Sequence, residues 1–558
     1  MAYTGNGAFG GLDARRAAAD GAIRDMENMS LRFSPALASR KPRRKLDEKW
    51  NDFGGAYYGE RDFVVHDKRL YDDGAEVCAL SSGEKSMAML GKTLYIFPDK
   101  VAYNTELNSV KRYNANVNNV GSVNSKPAYI DYYFTQSGGD VSVPTYYASG
   151  IAFPLDNFPS FPFEDGDWVH IKITKCETNS GGLKSVDFDL RIKPDEIRYE
   201  TGNENYGSVH VLKLPTETFS SIVDYKVRHR IEVQVEYGVP DLDFVFASDN
   251  RLWGSKGTEI YASALGQGMV WIDYDTLTTS SWAATTKTGD NITAALDFGG
   301  MPVFFAENAA YKIYGENPKE FQYVRQELIG VTAGDHKSVA VGAGYIFYLT
   351  RRGIYAWTGG VPQLISAPLG EERITNAVGG SDGAVYYLSC EQGGRHNLYC
   401  YDPMTNAWIR EDALEAVDIK QKGRDLCLVA ADGNAYLIGD VYSTEGTAIS
   451  PEGYFLETAD YNDGAVVQKS AKNILVQYEL TDGEADVMVS YDGEPWNHVY
   501  TLYDTDGKKI TSVIPLQEKR YRTMRIRIEG DGEIVIYYIV RDVNVRTERP
   551  GGERNVYI

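Results

Sequence analysis

Five cationic residues crowd around one proline in the segment Arg40-Lys41-Pro42-Arg43-Arg44-Lys45. Guanidinium and ammonium groups at this density suit phosphate or carboxylate recognition, and Pro42 forbids a continuing helix, so the segment reads as an extended strap. Such a charge run is either a solvated face or, in an acidic chain, a clamp onto an acidic neighbour or a nucleic-acid phosphate. Arg40, Lys41, Arg43, Arg44 and Lys45 are therefore the candidate partner-docking residues. The other reactive side chains do not converge. His66, His170, His210, His229, His336, His396 and His498 fall in different elements, never at metal-ligand spacing. Asp504, Asp506 and Gly507 echo a calcium loop without its later acidic ligand, which leaves an exposed turn. Cys390 and Cys400 flank one hairpin, but five cysteines with no CxxC pair read as buried thiols. No G-x-S-x-G elbow, phosphate loop or dinucleotide fingerprint occurs. The expectation is no catalytic residue, no cofactor and no metal.

Composition narrows the classes further. A chain of 558 residues calls for roughly two to four domains. The formal charge of −21 favours solubility and, over the whole chain, repels nucleic acid. No stretch has the length and apolarity of a membrane helix, and the N-terminus lacks the basic-then-apolar order of a secretion signal. Folding in a cytoplasm is expected. Tyrosine stands out, with 40 Tyr against 20 Phe and 8 Trp. Its ring packs while its hydroxyl stays wet, which suits half-buried strands and interfaces.

The elements that must carry these residues repeat. Tyr103, Tyr261, Tyr311, Tyr355, Tyr399 and Tyr436 lie in VAYNT, EIYAS, AAYKIYG, GIYAWTGG, NLYCYDP and NAYLIGD, each after another apolar strand. The last five recur at roughly 40–50 residues, the period of a β-propeller blade built of strands and turns. These six tyrosines are predicted repeat-packing residues. Tyr401-Asp402-Pro403 with Thr405 and Trp408 resembles a kelch-type turn, which supports blades and says nothing about catalysis. Propeller enzymes of the sialidase type carry Ser-x-Asp-x-Gly-x-Thr-Trp boxes. The nearest match, Ser490 to Trp496, is one residue short and reads as a hairpin turn.

The predicted fold class is thus all-β, a propeller of about six blades with an inserted small β domain and a C-terminal β-sandwich. Residues 1–75 read as a strap with a helix over Ala14–Met29, and 76–107 as the first blade. Residues 108–238 read as an inserted barrel or sandwich around the alternating Trp168–Ile173 strand. Residues 239–450 hold the remaining blades. Residues 451–558 read as a jelly-roll-like sandwich whose long strands are joined by Asp-Gly turns.

DMENMSLRFSPALASRKPRR, NRLWGSKGTEIYASALGQGMVWIDYD, GGMPVFFAENAAYKIYG, RRGIYAWTGGVPQLISAPLG and YRTMRIRIEGDGEIVIYYIVRDV together resemble a family of structural proteins of tailed phages and prophages of Firmicutes. The architecture is similar to the propeller-type tail nozzle, or tail stabilisation, proteins of short-tailed phages. The resemblance implies a non-enzymatic virion protein, a ring-forming tail component that lines or extends the DNA channel. A closed homo-oligomeric ring, most simply a hexamer, would use heterologous contacts. The expected partners are other phage tail proteins, with DNA only in passage, and assembly would take place in the host cytoplasm. The alternative is a receptor- or carbohydrate-binding tail-tip protein; a polysaccharide-cleaving enzyme ranks last.

Overall fold

The computed structural model describes residues 2–6, 9–15, 18–118, 128–135, 145–154, 161–177, 183–193, 197–203, 207–213, 230–275, 277–286, 288–463 and 467–545. The fold is all-β, as the strand-and-turn pattern predicts. Among the described residues the helical elements are two single 3-10 turns, His336–Ser338 and Ala367–Leu369. Everything else regular is antiparallel strand, most of it in small sheets.

The chain divides into two compact units, a larger one of Met1–Glu84, Phe304–Tyr311 and Arg325–Ile558 and a smaller one of Lys85–Val303 and Lys312–Val324. The larger unit contains four similar sheets. Their first strands are Gly55–Tyr58, Ala340–Gly342, Ile374–Ser381 and Ala416–Lys422; the first three sheets run on in sequence order, and the fourth does so for three strands before Arg43–Lys49 and then Thr447–Ile449. Ala416–Lys422 packs beside both Ile374–Ser381 and Gly55–Tyr58, and Ile374–Ser381 also packs beside Ala340–Gly342. The smaller unit holds two such sheets, beginning at Ser86–Leu90 and Phe244–Ser248, whose first strands also pack together. One more, from Ala294–Asp297 to Gln322–Glu327, has its residues divided between the units.

Local chemistry explains these sheets. Second strands such as Pro302–Ala306 and Asp425–Ala430 are buried along their whole length, because neighbours cover both faces. Each fully buried Phe, Leu or Ile there contributes about 1.5–3 kcal/mol relative to exposure. Tight turns follow where two consecutive residues accept positive φ, as at Asp67-Lys68, Asp249-Asn250 and Gly393-Gly394. The sheet of Gly55–Tyr58, Asp62–His66, Arg69–Asp72 and Ala75–Ala79 lies where the sequence reading places only a strap. Where the first blade is expected, over 76–107, a four-stranded sheet runs through Ser86–Leu90, Thr93–Phe97, Val101–Asn104 and Ser109–Arg112.

The stretch expected as an inserted β domain forms an eight-stranded sheet between Asn116 and Tyr237. Val169, Ile171 and Ile173 alternate into its core beside Val233 and Val235, all fully buried. The C-terminal strands form two sheets whose inward residues, among them Ile474, Val476, Val487, Ile526 and Ile536, share one core. That sandwich is not C-terminal alone. Ile23–Glu27 pairs with Tyr454–Thr458, while Ala2–Asn6 and Leu37–Ser39 both pair with Glu533–Val545. The helix expected over Ala14–Met29 is therefore corrected, apart from residues 16–17, which lie outside the described residues. Ile23 and Met26 gain full burial as strand residues, and tertiary pairing overrides the alanine-rich helix propensity.

Candidate functional site

The basic segment builds a strand rather than a free strap. Arg43–Lys49 lies between Asn434–Ile438 and Thr447–Ile449, pairing Lys45 with Tyr436 and with Thr447. Arg43 is buried and hydrogen-bonds through its two terminal nitrogens to Glu411 and Asp412, at 2.6 Å each. Burial alone lowers the Arg43 pKa, and the two carboxylates more than offset it, so the guanidinium stays firmly charged. Arg40 Nε donates to Asn28 Oδ1 at 2.6 Å, and burial beside Arg43 pulls its pKa down. Arg44 donates to the carbonyls of Thr444, Glu445 and Gly446. Lys41 reaches Asp440 at 2.7 Å with half its side chain in water. Of the residues expected to dock a partner, Arg40, Arg43 and Arg44 thus make hydrogen bonds within the chain. The acceptors come from segments distant in sequence, which no local pattern announces.

Two hollows flank this strand. One of about 160 Å³ is lined by Arg32, Arg40, Lys41, Asp382, Asp402 and Asp440, and a wider one of about 650 Å³ by Glu27, Asp412, Tyr436, Tyr454 and Glu529. Both mix charged side chains with apolar walls.

The six repeat tyrosines share one structural position. Each lies on the third strand of its sheet: Tyr103 in Val101–Asn104, Tyr261 in Glu259–Ala262, Tyr311 in Ala309–Tyr314, Tyr355 in Gly353–Trp357, Tyr399 in Arg395–Asp402 and Tyr436 in Asn434–Ile438. Tyr103, Tyr355, Tyr399 and Tyr436 stand opposite Leu94, Tyr348, Leu388 and Leu428 of the second strand. A seventh, Tyr71, occupies the same place opposite Val64 and was missed. Its signal was present in VVHDKRLYDD, an apolar run, a charged turn and a tyrosine. Burial pushes the hydroxyls of Tyr261, Tyr399 and Tyr436 up, away from any proton-transfer role near neutrality.

The remaining sequence candidates resolve as structure. Asp492 accepts the backbone N–H groups of Arg522 and Thr523, and Ser490 donates to the Glu494 carbonyl, so the partial box is a turn. Asp504 accepts from the N–H groups of Asp482 and Asp506. His66, His336, His396 and His498 each face a single carboxylate, and His170 faces Asp187 and Asp189. The side chains of His210 and His229 lie outside the described residues. Among the described residues no group of three or more His, Cys, Asp or Glu is placed to hold a metal ion. Cys400 lies opposite Tyr387 and Cys390 opposite Asn397. The three-residue offset turns the two thiols to opposite faces, and burial pushes Cys390 up to about 12. No helix among the described residues is long and apolar enough to cross a membrane.

The arrangement defines an all-β protein of repeated antiparallel sheets with a sandwich knit from the first and last segments of its larger unit. No protein-family model and no curated protein sequence matches the chain. Among solved structures it is similar to BamB from Moraxella catarrhalis, at 11% identity and TM-score 0.25, covering 53% of this chain and 99% of that one. It is also similar to PorZ, a surface component of the type-IX secretion system of Porphyromonas gingivalis, at 12% identity and TM-score 0.26, covering 84% and 74%. A third is an exo-β-1,3-galactanase from Phanerochaete chrysosporium with galactose, at 11% identity and TM-score 0.18, covering 89% and 100%. At these scores the likeness decides nothing about chemistry.

Proposed function

We propose that this chain is a non-enzymatic structural protein of a virion, a ring-forming component of a bacteriophage tail that lines or extends the DNA channel. In this reading the repeated sheets are blades of a β-propeller, seven in number once the sheet of Gly55–Tyr58 to Ala75–Ala79 is counted with the six that carry the expected tyrosines. Arg43–Lys49 supplies the fourth strand of the last blade, the closure by which a propeller ties an early strand to a late sheet. The observation that carries the reading is the fate of the repeat. Its recurring residues are spent on packing opposite second-strand residues, and four of its five basic-strap residues bond within the chain, Lys41 and Arg43 to carboxylates, Arg40 to Asn28 and Arg44 to backbone carbonyls. What remains outward is scaffold surface. The charge of −21 supports a conduit role, since a repulsive wall lets DNA slide without sticking.

The test is assembly. Negative-stain imaging of the purified chain, alone and with purified tails that lack it, should give closed rings or incorporation. Release of reducing sugar from a host polysaccharide, lost on mutating one carboxylate pair, would overturn the non-enzymatic reading.

A further inference from the structure

We infer that the hollow shared by the strand Arg43–Lys49 and the sheet of Gly55–Tyr58 to Ala75–Ala79 binds an organic cation, a primary ammonium group on a short carbon stem. The inference goes beyond the tail reading and holds without it. All of the lining lies in the larger unit. The hollow measures about 370 Å³, within the roughly 300–1,000 Å³ of small-molecule sites.

Its walls include four rings, three of which have a polar atom already engaged within the chain. Trp50 is buried, and its indole N–H donates to Glu48 Oε2 at 3.1 Å. Tyr58 donates its hydroxyl to Cys427 Sγ at 3.5 Å. His66 stacks on Tyr71 with ring centres 4.2 Å apart and planes 6° apart, and its Nδ1 faces Asp67 Oδ2 at 3.1 Å. Leu46 and Val64, both buried, add aliphatic surface. Such a lining offers a ligand mostly ring and aliphatic carbon, which attracts a cation through ring faces and packs its stem.

Unlike the hollows beside Arg40 and Arg43, this one is one-sided in charge. Asp47, Glu48, Asp62, Asp73 and Glu445 line it against a single lysine, Lys422. Lys422 holds Asp62 at 3.1 Å and Glu445 at 2.7 Å, and Arg61, outside the lining, lies 3.4 Å from Asp73. Asp47 and Glu48 are exposed and make no ion pair among the described residues. Glu48 Oε1 would lie 3.6 Å from a Cβ built on Gly74, so this carboxylate reaches from its own strand to a turn of the neighbouring sheet. An anion would meet the excess of negative charge. A metal ion does not fit either, because among the described residues no three carboxylate or histidine groups converge to hold one. A primary ammonium needs less convergence. It donates to one carboxylate, lies against a ring and buries its stem on carbon. The group can come from a free amine or from a lysine side chain of another protein, and the test separates the two.

The experiment titrates the full chain at neutral pH with n-pentylamine and with N-acetyl-lysine methylamide, and reads binding by saturation-transfer NMR and calorimetry. Both amines should bind, whereas the neutral n-pentanol and the anionic pentanoate should not. Glu48→Gln keeps an acceptor for Trp50 and should weaken amine binding about fivefold at an unchanged melting temperature. Tyr71→Leu removes one ring and should weaken it by about the same factor. If Tyr71→Leu melts early, Asp47→Asn at the exposed rim supplies the second comparison. Binding of pentylamine alone assigns a free amine, and binding of the lysine amide alone assigns a protein partner; either result upholds the ammonium site. Equal binding of n-pentanol makes the hollow merely apolar and overturns the inference. Unchanged affinity in the variants places the amine elsewhere and overturns it as well. If neither amine binds, the inference falls while the assembly test of the tail reading stands untouched.

Discussion

In the sheet from Ile374–Ser381 to Ala407–Asp412, neighbours in space are neighbours in sequence, and each hairpin closes locally. In the sandwich, Glu533–Val545 is flanked by Ala2–Asn6 and Leu37–Ser39 as well as by Lys469–Thr481, so strands from the beginning of the chain complete sheets from its far part. Both regions bury alternating apolar residues in antiparallel pairs. They differ in how far the chain must travel to make a pair, and long-range closure costs conformational entropy that local hairpins avoid. A repeated sheet is accordingly closed within one stretch of chain, whereas the sandwich depends on segments that could be cut away. The sheet containing Arg43–Lys49 stands between the two, local in four strands and borrowing that one from the early chain.

The largest effect expected from that contrast comes from deleting residues 1–39. This strips Ile23–Glu27, Met29–Ser30 and Leu37–Ser39 from the sandwich and uncovers Leu456 and Ile536, both fully buried. Calorimetry should show a lowered melting temperature, and hydrogen exchange should quicken most over Lys469–Thr481 and also over Ala407–Asp412, against which residues 1–39 pack. A deleted chain with an undisturbed sandwich would break the comparison.

Arg43→Ala comes next. It leaves the buried Glu411 without its cation and Asp412 with only the more distant Arg40, 3.7 Å away, at a cost of about 3–5 kcal/mol in denaturant unfolding. A loss under about 1 kcal/mol would mean that the borrowed strand is held by backbone pairing alone.

A smaller effect tests a local sheet. Tyr399 donates to Gln392 Oε1 at 2.9 Å inside the protein. Tyr399→Phe keeps the ring and should cost only about 0.5–1.5 kcal/mol, with no change in incorporation into tails.

The smallest effect is a pH dependence. Burial pushes Glu84 up, but the hydrogen bond and charge of His336 and the charge of Lys337 outweigh it, so its pKa sits below the ordinary 4.5. The folded carboxylate therefore binds its proton less readily than the unfolded one. Its stabilisation is present above pH 4.5 and is lost as pH falls through the folded value. Melting temperatures of Glu84→Gln should fall less between pH 5 and pH 3 than those of the unaltered chain. Parallel curves would remove Glu84 from the account.

The same contrast explains what was legible in the sequence. Period and turn chemistry are local, so six tyrosines mapped onto six third strands without an alignment. Tyr71 escaped because the strands around it are short and its turns are charged rather than glycine-rich. Arg43–Lys49 reads RRKLDEK, with no alternation to mark a strand, and its partners lie almost four hundred residues away. The alanine-rich run before Met29 favours a helix only until Tyr454–Thr458 offers Ile23 and Met26 a place to bury. The basic cluster was legible as a charge run, yet its acceptors Glu411 and Asp412 become neighbours only through the fold.

Mass photometry of the purified full chain, followed by negative-stain imaging of its largest species, tests the central claim most directly. A closed ring of a single stoichiometry, about 62.1 kDa per subunit, is the predicted result. A strict monomer at all concentrations that also fails to join purified tails would contradict it.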